Sequence, residues 1–328
     1  MNQSEVLKPL KTWSHLAARR RKPSEYEIVS TNLHYTTDRP DAPFELSPDF
    51  PLAQWFKTYR NASPLQHPDW NAFRDPDEIV YRTYNMLQDG QEAYVFGLFE
   101  QFSARGHDAM VERPWAGSLA RLYTPARYLF HSLQMGSAYL CQIAPASTIS
   151  NCATYQAADS LRWLTHTAYR TRELANGFGD LGFGTDERRY WEQDPAWQGF
   201  RELMERALVA WDWGESFVAL NLVARPAVEE AVLRGLGHAG RHHGDTLLGM
   251  LCDAQLVDAA RHRRWATALA RMALEHEGNG DVLARWVRKW APLGDAAIDA
   301  YCLALPDAQG GAERAREATH AFRGSLGL

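Results

Sequence analysis

A chain of 328 residues with 45% apolar residues can bury one large helical domain or two smaller ones. Its formal charge of −5 gives no general attraction to nucleic acid or to a membrane surface. The four cysteines, Cys141, Cys152, Cys252 and Cys302, never form Cys-x-x-Cys, so neither a zinc site nor a disulfide framework is indicated, and isolated thiols of a reducing cytoplasm are expected.

The N-terminus opens polar, turns basic at Arg19, Arg20, Arg21 and Lys22, and has no apolar stretch of signal-peptide length. No apolar run later in the chain reaches the length of a membrane span. Nine of the sixteen prolines fall before residue 77, a density long helices do not tolerate. The same segment holds Trp13, Tyr26, Tyr35, Phe44, Phe50, Trp55, Phe56, Tyr59 and Trp70. Residues 1–74 therefore read as an extended arm that needs a surface to lie on, either its own domain or another chain. The basic cluster suits a contact with a partner subunit or a solvated patch better than nucleic acid, for which no recognition fold is present.

From residue 75 the pattern turns helical. Asp75-Pro-Asp-Glu78 reads as an N-cap, a first-turn proline and a glutamate that closes a capping box. Val95, Leu98, Phe99 and Phe102 continue at helical spacing. Thr124-Pro125 opens another helix with Leu129, Leu133, Gly136 and Leu140 on one side. After a break at Pro145 a long helix covers about 150–176. Gly177, Gly179, Gly182 and Gly184 predict a flexible connection. Helical stretches follow over 197–223, up to Pro226, and over about 227–236. Gly235, Gly237, Gly240 and Gly244 predict a loop before a helix over about 245–276, and a last helical region covers about 281–304. Residues 307–328 read as a weakly patterned tail after a domain spanning 75–306. No strand, βαβ alternation or repeat is evident. The fold class is all-α.

Two of these helices carry the same five-residue pattern, about a hundred residues apart: Asp159-Ser-Leu-Arg-Trp163 and Asp258-Ala-Ala-Arg-His262. Both resemble the Asp-Glu-x-Arg-His motif of carboxylate-bridged di-iron enzymes, in which the Glu and the His three positions later bind iron from one helix face. Here Ser160 and Ala259 stand at the Glu positions and Trp163 at the first His position. Only His262 remains, and Asp159, Arg162, Asp258 and Arg261 keep the outer frame. Residues 113–158 contain no Asp or Glu at all, so the preceding helix offers no carboxylate to a metal pair. Catalytic, cofactor-binding and metal-binding residues are therefore all expected to be absent from this chain.

Other candidates are weaker. Glu229, Glu230, Asp258 and His262 would make a small site if they converged. The preferred alternative pairs Asp258 with a buried Arg162 or Arg261 and leaves His262 as a hydrogen-bonded core residue. His238 and His242 have metal-like spacing, but their glycine neighbours favour a solvated turn with His243. Glu275-His-Glu277 closes a helix, where a His complements the helix dipole. Neither a nucleotide loop nor a nucleophile elbow is present.

Many further segments carry a specific resemblance to the β subunits of bacterial toluene monooxygenase hydroxylases. Among them are Thr12-Trp-Ser-His-Leu-Ala17, Lys22-Pro-Ser-Glu-Tyr26, Tyr59-Arg-Asn-Ala-Ser-Pro-Leu65, Tyr81-Arg-Thr-Tyr84, Ala144-Pro-Ala-Ser-Thr-Ile-Ser-Asn151, Asp159 to Thr171, and Trp211-Asp-Trp-Gly-Glu215. The resemblance runs from about residue 8 to about 304. It implies a ferritin-like helical bundle in an (αβγ)₂ hydroxylase whose α subunit holds the di-iron centre. It also implies work with a Rieske ferredoxin, a reductase and an effector protein, inserting one atom of O₂ into an aromatic ring with electrons from NADH. The family's iron ligands belong to α, so no catalytic residue carries over, and the arm would drape over α. The competing reading is a stand-alone helical metal-binding oxidase or storage protein. The arene and the ring position hydroxylated are not written in this chain.

Overall fold

The computed structural model describes residues 21–33, 50–306 and 309–328. Trp13, Arg19, Arg20, Tyr35 and Phe44 lie outside the described residues. Helices account for every regular element among them. These are α1 (Glu25–Ser30), α2 (Pro51–Phe56), α3 (Tyr81–Ala104), α4 (His107–Met110), α5 (Arg113–Ser118), α6 (Ala126–Ile143), α7 (Ser147–Gly177) and α8 (Glu187–Gln193). The series continues with α9 (Pro195–Ala207), α10 (Trp213–Phe217), α11 (Arg225–Ala227), α12 (Leu236–His242), α13 (Thr246–Leu274), α14 (Asn279–Ala304) and α15 (Gly311–Gly324).

The core is a ferritin-like bundle. Helices α6 and α7 form one hairpin across the Pro145 break. Its apolar side is set by Leu129, Leu133, Gly136 and Leu140, all buried. The second hairpin joins α13 to a composite helix running from Trp213 to His242. That run passes through π-helical turns at Val218–Ala224 and Val228–Gly235. Nearly every residue from Ser216 to Glu229 is buried, as expected for a helix that is apolar all round and enclosed by others. Helix α3 lies across α7 and α13 and brings Tyr84 and Gln88 inside.

Several boundaries differ from the sequence expectation. Helix α3 begins at Tyr81, because Asp75 caps a tight turn instead. Its carboxylate accepts from the N–H groups of Asp77 (3.1 Å) and Ile79 (3.1 Å), and Glu78 adopts a positive φ of 47° that no helix allows. Pro226 does not end its helix. It sits inside the composite helix, between the π-helical turns at Val218–Ala224 and Val228–Gly235. The glycines from 235 to 240 are helical and not a loop. A Cβ on Gly237 would come within 2.9 Å of Cys252 Cβ, so the glycine permits α12 to lie directly on α13. Only Gly244, with φ of 74°, serves the turn. Residues 311–324 form a helix with Ala315, Thr319, Phe322 and Arg323 buried, where the sequence read as a tail. The connection at 177–184 is ordered by a 3₁₀ turn.

The described part of the arm packs on this chain's own domain. Tyr26 Oη accepts from Asp75 N–H at 3.0 Å, and Ser147 Oγ donates to Ser30 O at 2.6 Å. Trp55 Nε1 donates to Tyr139 Oη at 3.0 Å, and Leu65 is fully buried.

The crossing of α9 and α14 depends on Gly199, where an added Cβ would sit 2.6 Å from Ala297 Cα. Backbone cannot yield as a flexible side chain does, so Gly199→Ala is expected to cost about 1–3 kcal/mol. Urea unfolding that places the variant level with the native chain would contradict this crossing.

Candidate functional site

The two motif helices exchange their carboxylates. Asp159 on α7 accepts from His262 Nε2 on α13 at 2.7 Å and from the Arg261 guanidinium. Asp258 on α13 accepts from Trp163 Nε1 on α7 at 3.0 Å and from Arg162 Nη1 at 3.1 Å. Each motif's Asp thus binds the Arg and the aromatic residue of the other motif. Helix α3 locks the pair. Gln88 Nε2 donates to Asp159 Oδ1 at 2.8 Å and to Asp258 Oδ1 at 3.0 Å, and Tyr84 Oη donates to Asp159 Oδ1 at 2.9 Å. On the outer side Arg162 Nε and His166 Nε2 reach Glu92, at 2.6 and 3.1 Å.

This arrangement explains the Trp at the first His position. Indole has an N–H to give but no in-plane lone pair. Trp163 therefore supplies the hydrogen bond that orients Asp258 and can supply nothing to a metal. Its ring also packs edge-on to Phe130, at 5.6 Å between centroids.

Between the two hairpins, where ligands from four helices would converge, lies the guanidinium of Arg225. It donates to Ser137 Oγ on α6 (2.8 Å), to Ser160 Oγ on α7 (2.9 Å) and to His262 Nδ1 on α13 (3.1 Å). A guanidinium only donates, so His262 Nδ1 must be the unprotonated nitrogen and Nε2–H must donate to Asp159. Gln156 extends the chain, giving Nε2–H to Ser137 Oγ at 3.1 Å and accepting Trp265 Nε1–H at 3.1 Å.

The electrostatics follow from burial. Burial and the neighbouring Arg225 push His262 down to about 3, so the imidazole is neutral. Burial alone would raise Asp159, but the bonds from His262 and Arg261 outweigh it and hold the carboxyl at about 2. Asp258 is raised, first by burial and then by the charge of Asp159. Burial lowers Arg225 to about 9, which leaves it charged at neutral pH.

A di-iron centre does not fit these residues. It needs carboxylates from several helices. The structure offers two serine hydroxyls already hydrogen-bonded, the methyl of Ala259, an indole, and a cation at the centre. The only imidazole has its inward nitrogen committed to that cation. Among the described residues, no three His, Cys, Asp or Glu side chains are grouped to hold a metal ion. Glu229 is held by Arg263 (2.6 Å) and Arg234 (3.0 Å), and Glu230 faces Arg234 at 3.3 Å, so these two do not join Asp258 and His262 in one site. His238 and His242 are exposed one turn apart on α12 rather than in a turn, and His243 stacks on Trp115 at 4.6 Å.

The comparisons with known proteins place the chain in a family. The profile of the Methane/Phenol/Alkene Hydroxylase family matches residues 55–277. The β subunit of the toluene-4-monooxygenase hydroxylase component from Ectopseudomonas mendocina is 58% identical over 297 residues, covering 90% of this chain and 91% of that one. The chain belongs to the methane/phenol/alkene hydroxylase family. It is a β-type subunit of a multicomponent monooxygenase hydroxylase, an oxidoreductase complex. A solved structure of toluene 4-monooxygenase with toluene in its resting active site aligns at a TM-score of 0.87, with 57% identity over 92% of this chain and 99% of that chain. A phenol hydroxylase structure from Pseudomonas sp. OX1 shares the fold, with a TM-score of 0.84 at 21% identity over 100% of this chain and 98% of that chain.

The family's two-motif frame was readable from spacing. The residues that fill it were not: Ser137, Gln156 and above all Arg225 lie outside both motifs. The available signal was a single charged residue, with Asn221 one turn before it, in the mostly apolar run from Phe217 to Val228.

His262 makes stability fall with acid. Its folded pKa of about 3 lies below the ordinary 6.5, so the unfolded chain takes up a proton that the folded chain refuses. Stability is complete above about 6.5 and declines as pH falls toward 3, by at most about 1.4 kcal/mol per pH unit. Gln at this position can accept from Arg225 and donate to Asp159 without titrating. His262→Gln should therefore flatten the stability–pH curve between 6 and 4 in urea titrations, and an unchanged slope would contradict the neutral, buried assignment.

Proposed function

We propose that this chain is the non-catalytic β subunit of an (αβγ)₂ aromatic-ring hydroxylase of the toluene monooxygenase type. The di-iron centre resides in the α subunit, and α and γ are its partners in the complex. A Rieske ferredoxin, a reductase and an effector protein complete the system, which hydroxylates an arene with O₂ and electrons from NADH in the cytoplasm. Among the described residues no helix is long and apolar enough to cross a membrane, which accords with that placement.

The observation that carries this reading is Arg225. A helix of the bundle places a fixed positive charge between the other helices at the point where metal ligands would meet, and the ligand positions hold Ser160, Ala259 and Trp163. A chain built this way keeps the rigid frame and supplies no redox centre. Its contribution is mechanical. It presents a stiff helical face against which the iron-bearing subunit is held, and displacements of well under an ångström at a catalytic centre are costly. The competing stand-alone metal oxidase or store would need carboxylates at 137, 160 or 259, where this chain has Ser, Ser and Ala.

Turnover should be insensitive to the ligand positions themselves. Ser160→Ala and Ala259→Ser, assembled with the other subunits, are expected to keep arene hydroxylation within about two-fold of the native complex. Native mass spectrometry and iron analysis of the dissociated subunits should find iron with α alone. Iron leaving with this chain, or loss of chemistry in an intact Ala259→Ser complex, would sink the assignment.

A further inference from the structure

The centre vacated by metal ligands carries an opposite kind of ligand demand. Arg225 is buried, and its contacts are neutral: two serine hydroxyls, the Gln156 carbonyl at 3.5 Å and the unprotonated nitrogen of His262. Among the described residues no carboxylate lies within ion-pair distance of it, and Asp159 is reached only through the imidazole. Its Nε–H has no partner at all. One helical turn earlier on the same composite helix lies Asn221, which is 3% exposed and whose Nδ2 and Oδ1 are both without partners. Arg225 and Asn221 line one cavity, with about 20 Å³ of free room. Its remaining walls include Leu133, Leu233, Val228 and Ala259, together with Glu229 and Arg263, which pair with each other at 2.6 Å.

We propose that this cavity is a binding site for a single halide-sized monovalent anion, held by Arg225 Nε and Asn221 Nδ2. The size limits the occupant to one small particle. A water molecule would serve the same donors and would also meet the Asn221 oxygen, but it would leave the Arg225 charge without an anion of its own, because the Glu229 carboxylate on the cavity wall is committed to Arg263 and Arg234. An unpaired buried charge costs more than an unpaired amide oxygen, and this decides for the anion. A polyatomic oxyanion is excluded by volume and by the shortage of donors for its further oxygens. The site is then a di-iron pocket with its polarity inverted. The protein supplies the cation, and the solvent supplies the anion.

The test is X-ray diffraction at the bromine absorption edge on crystals of the assembled hydroxylase in which chloride has been replaced by bromide. One anomalous peak should lie in the cavity against Arg225 Nε and Asn221 Nδ2. Asn221→Leu removes the amide donor and fills the space. Because Asn221 has no present partner, this change should leave the chain folded, and the guanidinium keeps its bonds to Ser137, Ser160 and His262. The peak should vanish in that variant. In solution, bromide titrated at constant ionic strength against a large organic anion should raise the Tm of the native complex to a plateau, and the shift should be lost in Asn221→Leu. Density without an anomalous signal would identify a water and overturn the proposal. So would an empty cavity, a peak that persists in Asn221→Leu, or a peak with no saturable Tm shift, which would mean binding at crystal concentration only.

Discussion

Everything in this fold is registered by the exchange of two buried carboxylates between two helices. Asp159 and Asp258 each cross to the opposite motif, so α7 and α13 cannot slide or rotate past one another without breaking charge-assisted bonds on both sides. Gln88 spends both amide N–H groups on the pair, one on each carboxylate, and so ties the outer helix α3 to the same register. Removing either carboxylate would strand arginines in a medium that penalises lone charges. Buried ion pairs contribute little net stability relative to an apolar core, and their role here is to specify one alignment among the several that apolar packing alone would accept.

The residues at the two motifs obey a simple chemical rule when set beside the di-iron motif they resemble. Groups that oriented the ligands keep their hydrogen-bonding character, and groups that would bind metal lose it. Trp163 retains an N–H for Asp258 but has no lone pair to share. Ser160 retains an oxygen that accepts from Arg225 at 2.9 Å. His262, the one unaltered position, turns its free nitrogen to the same guanidinium. A tethered cation thus links four helices through short bonds at the point where metal ligands would meet.

The helix that delivers Arg225 shows how the backbone makes room for this. It is enclosed by other elements through most of its length and changes between α and π turns around Pro226. Such turns alter which residues share a face, and π segments recur where a helix must aim particular side chains inward. Asn221, Arg225 and Glu229 all reach the one central cavity. A family relationship to hydroxylase subunits then has a physical meaning in this chain. The scaffold is that of the hydroxylase subunits it resembles, and its centre is held by a buried guanidinium.

The helical class, the two motif helices and the α6–α7 break at Pro145 were legible in the sequence, because periodicity, proline and motif spacing are local properties. Boundaries that depend on neighbours were not. The glycines at 235–240 look like a loop until α13 is seen lying against Gly237, and residues 311–324 look unpatterned until Phe322 is seen buried. Pro226 looks like a stop until the π-helical turns on either side of it are seen to carry the helix through. Arg225 belongs to neither motif, and only the tertiary structure carries it into their shared centre. The sequence by itself determined which side chains stand at the two motifs, since a residue's identity is written at its own position. What meets them at the centre was decided by the fold, since the partner of a buried charge is whichever side chain four separate helices bring within three ångströms of it.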